Sequence, residues 1–230
     1  MKRYLLKESG SWAVMLLAYS AGVLTSSGIN LEAAAALIVL SLYINSKQAF
    51  ALLARSATDR PKNLLIFLTQ VFISTALLLF LLRGDAAKLL PFAAAPFVYI
   101  FLFRFAGEHA LITEISGFSL LSLSSLISKF AVTEVLDNRL FIAVAIFFTA
   151  GVFKVRLRLK KKIFERLLMV MYLGFAVEVY HVMGLPLILL LPLIDNLIFS
   201  FFLYRANFSV TGWTEIAKGV LFLALLRLFY

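Results

Sequence analysis

Long apolar runs alternate with short polar clusters along the whole chain. Nine runs stand out, near 12–27, 31–53, 64–82, 89–105, 112–133, 140–157, 166–183, 185–204 and 213–230. An α-helix needs about 20 apolar residues to cross a bilayer, and most of these runs approach that length. None shows the sustained alternation of ten-residue barrel strands, so a transmembrane β-barrel is set aside. The pattern predicts an all-α, polytopic transmembrane helical bundle of about nine helices, with 1–230 as a single integral membrane domain. The fourth run is short and holds Pro91 and Pro96, which predicts a kinked or partly re-entrant segment. Gly184-Leu185-Pro186 predicts a tight hairpin between the seventh and eighth runs. No internal repeat and no low-complexity linker is apparent.

Composition narrows the class. Of 230 residues, 63% are hydrophobic and 15% charged, with a mean hydropathy of +0.99. An ordinary soluble domain carries roughly 25% charged residues. A soluble fold of this size cannot hide so much apolar surface, which excludes a water-soluble enzyme and a disordered chain. Cysteine is absent, so thiolate metal sites and cysteine nucleophiles are excluded.

The 22 Lys+Arg against 12 Asp+Glu are unevenly spread. With the N-terminus cytoplasmic, sixteen fall inside: Lys2, Arg3, Lys7, Lys47, Arg55, Arg60, Lys62, Arg104, Lys154, Arg156, Arg158, Lys160, Lys161, Lys162, Arg166 and Arg205. Only Arg83, Lys88, Lys129 and Arg139 fall outside. That bias predicts a cytoplasmic (inner) membrane protein with the N-terminus in and the C-terminus out. It also gives the net charge of +10 a membrane origin, so nucleic acid is not expected as a partner. Met1-Lys2-Arg3 and the first run are read as a retained signal-anchor-like helix, because no small-residue cleavage site follows.

Ionisable residues are expensive inside a bilayer and mark interiors or cavities. On this topology Glu8, Arg104, Glu108, His109, Glu114, Lys154, Arg156, Arg158, Arg205, Glu215 and Lys218 ring the cytoplasmic ends of the helices. The ring reads either as snorkelling side chains with local ion pairs or as a pocket for a charged head group. Lys154 and Arg158 are spaced i, i+4 and share a helix face, as two cations holding a phosphate would. Glu215 and Lys218, at i, i+3, are expected to pair. Asp195, beside Asn196, lies near the middle of the eighth run, the costliest place for a carboxylate. His109 and His181 are isolated, so histidine-held metal or haem is not expected.

Four short motifs carry a family resemblance. Glu8-Ser9-Gly10-Ser11-Trp12-Ala13-Val14-Met15 resembles the Glu-His-Gly-Ala-Trp-Ala-Met opening of the YwiC-like membrane proteins. Leu111–Phe118 resembles their Asn-Glu-Leu-x-Gly-Phe stretch, Val155-Arg156-Leu157-Arg158 their Val-Arg-x-x-Leu region, and Thr211-Gly212-Trp213-Thr214-Glu215 their final helix start. Ser9 stands where that family has His. The family is distantly similar to the UbiA-type intramembrane prenyltransferases, whose Asp-rich motifs hold Mg²⁺. Here Asn45-Ser46-Lys47-Gln48 and Lys154, Arg156 and Arg158 stand at those places without acids. The resemblance therefore implies a related fold, and no Mg²⁺ or other cofactor is expected.

The combined expectation is a membrane protein that binds an isoprenoid or other lipid by its anionic head in a cytoplasmic-facing pocket. Lys154, Arg156, Arg158, Asn45, Trp12 and Lys218 are the candidate binding residues. Glu8, Glu114, Glu215 and Asp195 are the candidate catalytic acids or bases. A prenyltransferase with an unusual site, a transporter, and a respiratory-complex subunit with a protein partner are the alternatives.

Overall fold

The computed structural model describes residues 8–26, 28–55, 59–81, 85–202 and 207–230. Lys2, Arg3, Lys7, Arg83 and Arg205 lie outside them, and so does the expectation placed on each. The described residues form helices only. In order these are α1 (Ser9–Leu24), α2 (Leu31–Arg55), α3 (Arg60–Leu81), a 3-10 segment (Asp85–Ala93) running into α4 (Ala94–Phe105), α5 (Leu111–Thr133), α6 (Asn138–Lys160), α7 (Ile163–Val182), a second 3-10 segment (Leu187–Leu193) running into α8 (Ile194–Phe202), and α9 (Phe208–Phe229).

Six stretches are long and apolar enough to cross a membrane by length and composition: Leu31–Ala54, Arg60–Leu81, Ala87–Phe105, Leu111–Thr133, Asn138–Lys160 and Ser209–Phe229. Ser9–Leu24 and Leu187–Phe202 are shorter apolar helices. α7 is 20 residues long and carries Glu165, Arg166 and Glu178. The helices thus sit where the nine apolar runs lie, and six of them meet the requirements for a span.

Both broken helices hold proline where the 3-10 geometry occurs, Pro91 in the first and Pro192 in the second. Proline lacks the N–H that an α-helical bond needs, so a tighter turn is tolerated there. The Gly184 hairpin closes as expected. Gly184 takes φ +62°, and Leu185 N–H reaches back to the Tyr180 carbonyl at 2.8 Å, the longer of two bonds that end a helix on a left-handed residue.

The helix order corrects the expectation of no repeat. Three helices followed by a 3-10/α broken helix occur as α1–α4 and again as α5–α8, with α9 added. A shift of 101 residues places Leu89-Leu90-Pro91 on Leu190-Leu191-Pro192, Phe101-Leu102 on Phe202-Leu203, Arg104 on Arg205, and Thr113-Glu114-Ile115 on Thr214-Glu215-Ile216. Four of these nine matches are leucine or phenylalanine, which an apolar chain hides by its composition.

The two units meet along α1 and α5. Ser124 Oγ donates to the Met15 carbonyl at 3.1 Å and Ser128 Oγ to the Tyr19 carbonyl at 2.8 Å. Both numbers rise together, so the helices run parallel. Gly22 on α1 faces Ser125 and Ser128 on α5, all buried. Small side chains allow close backbone approach, and hydroxyls bond across it, where apolar burial gives helices in lipid little drive to associate.

α6 is the core helix. More than half of it is buried, whereas α3 buries only Asn63 and Ser74. Phe147 stacks on Phe222 of α9 at 4.0 Å between ring centroids, and Tyr172 and Tyr180 of α7 donate to the Ile146 and Ala143 carbonyls, each at 2.8 Å. α6 therefore fixes anything carried on its inner turns.

At the N-terminal end of α6, Asp137 joins three elements. It caps α6 by accepting from Leu140 N–H at 3.0 Å, pairs with Lys129 of α5 at 2.6 Å, and accepts from the Tyr230 hydroxyl at 2.8 Å. Burial alone would raise its carboxyl, but these donors together hold it below the ordinary carboxylate value. A depressed acid adds stability that is present above its unfolded value near 4 and is lost as pH falls through the folded one. Wild type is thus expected to lose thermal stability below about pH 4 more steeply than Asp137→Asn. Parallel melting curves in detergent from pH 3 to 7 check this; parallel pH profiles for the two proteins would contradict it.

Candidate functional site

At the lysine-rich end of the molecule, three helices bring four charges together. Lys154 lies on α6, six residues before Lys160, and its side chain is 2% exposed. Its ammonium donates to Asp195 Oδ2 in the first turn of α8 and lies 2.9 Å from Glu215 Oε1 of α9. Lys218, one turn beyond Glu215, lies 2.5 Å from the same Glu215 oxygen and 3.4 Å from Asp195 Oδ2. It also donates to Asn196 Oδ1 at 2.5 Å. Each carboxylate thus bridges both ammonium groups.

The neighbours hold this arrangement. Glu215 Oε2 lies at ordinary contact distance, 3.6 Å, from where a Cβ at Gly151 would stand, one turn before Lys154, so the α9 carboxylate packs against this turn of α6. Asn196 is anchored by donating to the Ala150 carbonyl at 3.4 Å. Phe199 presents its ring 5.7 Å from the Lys154 ammonium, within range of a cation–π contact. The 3-10 segment ahead of α8 ends at Leu193, which puts Asp195 at the break rather than inside a continuous helix.

Two features set the chemistry. Among the described residues the charges stand two against two, which offsets much of the several-kcal/mol cost of a lone charge out of water. The exposure is lopsided: the lysines are 2% and 9% exposed, Asp195 and Glu215 34% and 30%. A group arriving from outside meets the partly exposed carboxylates first, with the two buried ammonium groups behind them.

α9 packs on the second 3-10 segment and on α1, while α8 packs on α6 and α7. α9 meets α6 through the Phe147–Phe222 stack, and meets α6 and α8 through the charged cluster. On α9 a Cβ at Gly212, one turn before Glu215, would meet nothing within 4 Å.

Other polar residues of the ring fall into separate groups. Arg156 lies 2.8 Å from Glu114 of α5, donates to the His109 carbonyl at 3.0 Å, and approaches Glu165 of α7 at 3.8 Å; Lys160 reaches Glu165 at 3.0 Å. Glu8 pairs with Lys47 of α2 at 2.6 Å and accepts from Ser11 Oγ at 2.9 Å. Arg158 donates to the Asn207 carbonyl at 3.3 Å, ahead of α9. Asn45 donates to the Ser41 carbonyl at 3.0 Å, and Trp12 packs beside Met15, Leu40 and Ile44. Of the ten candidates, Lys154, Lys218, Asp195 and Glu215 are therefore one site, with Arg156 and Glu114 in a second cluster. The i, i+3 pair of Glu215 and Lys218 forms as expected. The role of Asn196 was missed; the signal was its position beside Asp195.

The shift also separates the charges. Under it Leu53, Ala94 and Ala95 of the first unit stand where Lys154, Asp195 and Asn196 stand in the second, and Glu114 and Gly117 of α5 stand where Glu215 and Lys218 stand on α9. Of the four charges only the glutamate recurs.

No family model, curated protein or solved structure matches this chain.

Proposed function

We propose that the chain is an integral membrane protein, crossing nine times with its lysine-rich end cytoplasmic, that binds the anionic head of an isoprenoid or another lipid at the α6–α8–α9 cluster. The YwiC-like motifs support a fold related to the UbiA-type enzymes, with lysine ammonium groups where those enzymes use metal-binding acids. One observation carries the reading: two buried lysines are neutralised by carboxylates that are themselves partly exposed. An incoming anion takes a carboxylate's place on the lysines, and the displaced side chain turns outward without leaving an ammonium unpaired.

Exchange has a consequence that a fixed structural ion pair lacks. Removing a carboxylate removes the anion's competitor. Asp195→Asn is expected to bind phosphatidylglycerol about tenfold more tightly, a gain of roughly 1.4 kcal/mol, while Lys154→Gln loses binding. Titration of lipid into detergent-solubilised protein, read as a rise in melting temperature, measures both. Equal or weaker binding by a folded Asp195→Asn variant contradicts exchange.

A second reading is favoured by the two proline-broken helices at equivalent places of the two units, an arrangement that marks binding sites in carriers. A carrier uses the same site and adds movement of α8. Lysine-154-dependent transfer of a labelled lipid between leaflets of proteoliposomes would single it out.

A further inference from the structure

We infer that the pocket where the C-terminal ends of α1, α5 and α9 converge is a second anion site, one that takes a phosphate group. It is separate from the α6–α8–α9 cluster. α6 runs roughly 25 Å from its cap at Asp137, beside this pocket, to Lys154, at 1.5 Å per residue.

The three helix ends enclose a pocket of about 200 Å³. Leu24 and Thr25 line it from α1, Lys129 from α5, and Leu226, Arg227 and Tyr230 from the end of α9. Arg227 donates to the Leu24 carbonyl at 3.1 Å, which ties the last turn of α9 to the last turn of α1. Backbone carbonyls left over at helix C-termini carry partial negative charge and disfavour an anion. Side-chain cations must therefore supply all of the attraction, and the pocket has two.

Both keep donors to spare. A guanidinium carries five N–H donors in a planar fork. Arg227 is exposed, and its hydrogen bond goes to a backbone carbonyl; it has no carboxylate partner among the described residues. An ammonium carries three donors. Lys129 gives one to Asp137 Oδ2 at 2.6 Å and lies 5.3 Å from the centre of the Tyr230 ring. The neighbouring charges are committed. Asp137 also accepts from Leu140 N–H and the Tyr230 hydroxyl, and Arg139 donates to the Met183 and Gly184 carbonyls. A tetrahedral phosphate can take the Arg227 fork on two oxygens and the Lys129 ammonium on a third, whereas a planar carboxylate has only two to share. A phospholipid head and free phosphate share this chemistry. Asp137 competes with either for Lys129, so its removal favours the phosphate.

The test uses the full-length protein in a neutral detergent and phenylglyoxal, which modifies accessible arginines. Peptide mass spectrometry reads Arg227 and the equally exposed Arg104 separately. Inorganic phosphate is the probe in one arm and short-chain phosphatidylglycerol in the other, each against chloride at equal ionic strength. Saturating probe is expected to slow modification of Arg227 about tenfold and to leave Arg104 unchanged. Protection by both probes supports a site for any phosphate group, and protection by the lipid alone supports a head-group site. Lys129→Gln is expected to raise the half-protecting concentration about tenfold and Asp137→Asn to lower it about threefold, while Lys129→Arg, which keeps the charge, stays near wild type. Melting temperatures without probe confirm that each variant is folded. Protection by neither probe, equal protection by chloride, or equal protection in folded Lys129→Gln overturns the site. The readout is local to Arg227, so its failure leaves the reading of the α6–α8–α9 cluster untouched.

Discussion

Replacing Lys154 by Met is expected to destabilise the protein by about 3 kcal/mol, the low end of what breaking a buried ion pair costs. The substitution keeps the apolar stem and removes the charge, leaving Asp195 and Glu215 to share the Lys218 ammonium. Both carboxylates lie within 3.4 Å of that group, so part of the loss is recovered. Removing one acid as well restores the balance. Lys154→Met with Asp195→Leu is therefore expected to be more stable than Lys154→Met alone, since an apolar replacement of a whole buried pair is often neutral. Unfolding of the wild type, both single variants and the double variant in mixed micelles gives the coupling energy directly. Additive losses would show that neutrality does not govern the cluster.

The second large effect is expected at the α1–α5 crossing. A Cβ at Gly22 would run into Ser128 Oγ and the Ser125 carbonyl, and would lie 2.9 Å from Lys129 N. Two of these are backbone atoms of a facing helix, so no side-chain rotation relieves the clash and the helices must part. Parting them also lengthens the Ser128–Tyr19 and Ser124–Met15 bonds. Gly22→Ala is expected to cost about 3 kcal/mol, the upper end of overpacking penalties. Gly10→Ala, on the same helix with nothing within 4 Å, is expected to be neutral or slightly stabilising. Melting temperatures of the two variants side by side decide it, and equal values would contradict the close crossing.

The helices were legible because length and apolarity sufficient to cross a membrane, and breaks at Pro or Gly, leave strong local marks. α2, α5 and α6 begin and end within three residues of the apolar runs that announce them. Pro91 marked the first break; Pro192 marks an equivalent one that leucine on every side concealed. The site was only half legible. Lys154, Asp195, Glu215 and Lys218 each drew notice as charges within apolar runs. Their meeting depends on three helices separated by 41 and 20 residues of chain, measured from Lys154 to Asp195 and from Asp195 to Glu215, and no local spacing encodes it. Lys154 also looked like an open cation on a helix face, because a sequence does not show that two acids from α8 and α9 cover it. The repeat escaped because it survives as turn geometry and a few polar positions, Thr113-Glu114 on Thr214-Glu215 above all, on an apolar background.

The central claim is that the four-charge cluster exchanges its carboxylates for an anionic amphiphile. Extraction and mass spectrometry of small molecules that co-purify with wild type, Asp195→Asn and Lys154→Gln, set against a mock membrane preparation, test it most directly. The expected result is an anionic lipid enriched with wild type, enriched further with Asp195→Asn, and lost with Lys154→Gln. The same lipid at the same level in all three folded proteins would contradict it.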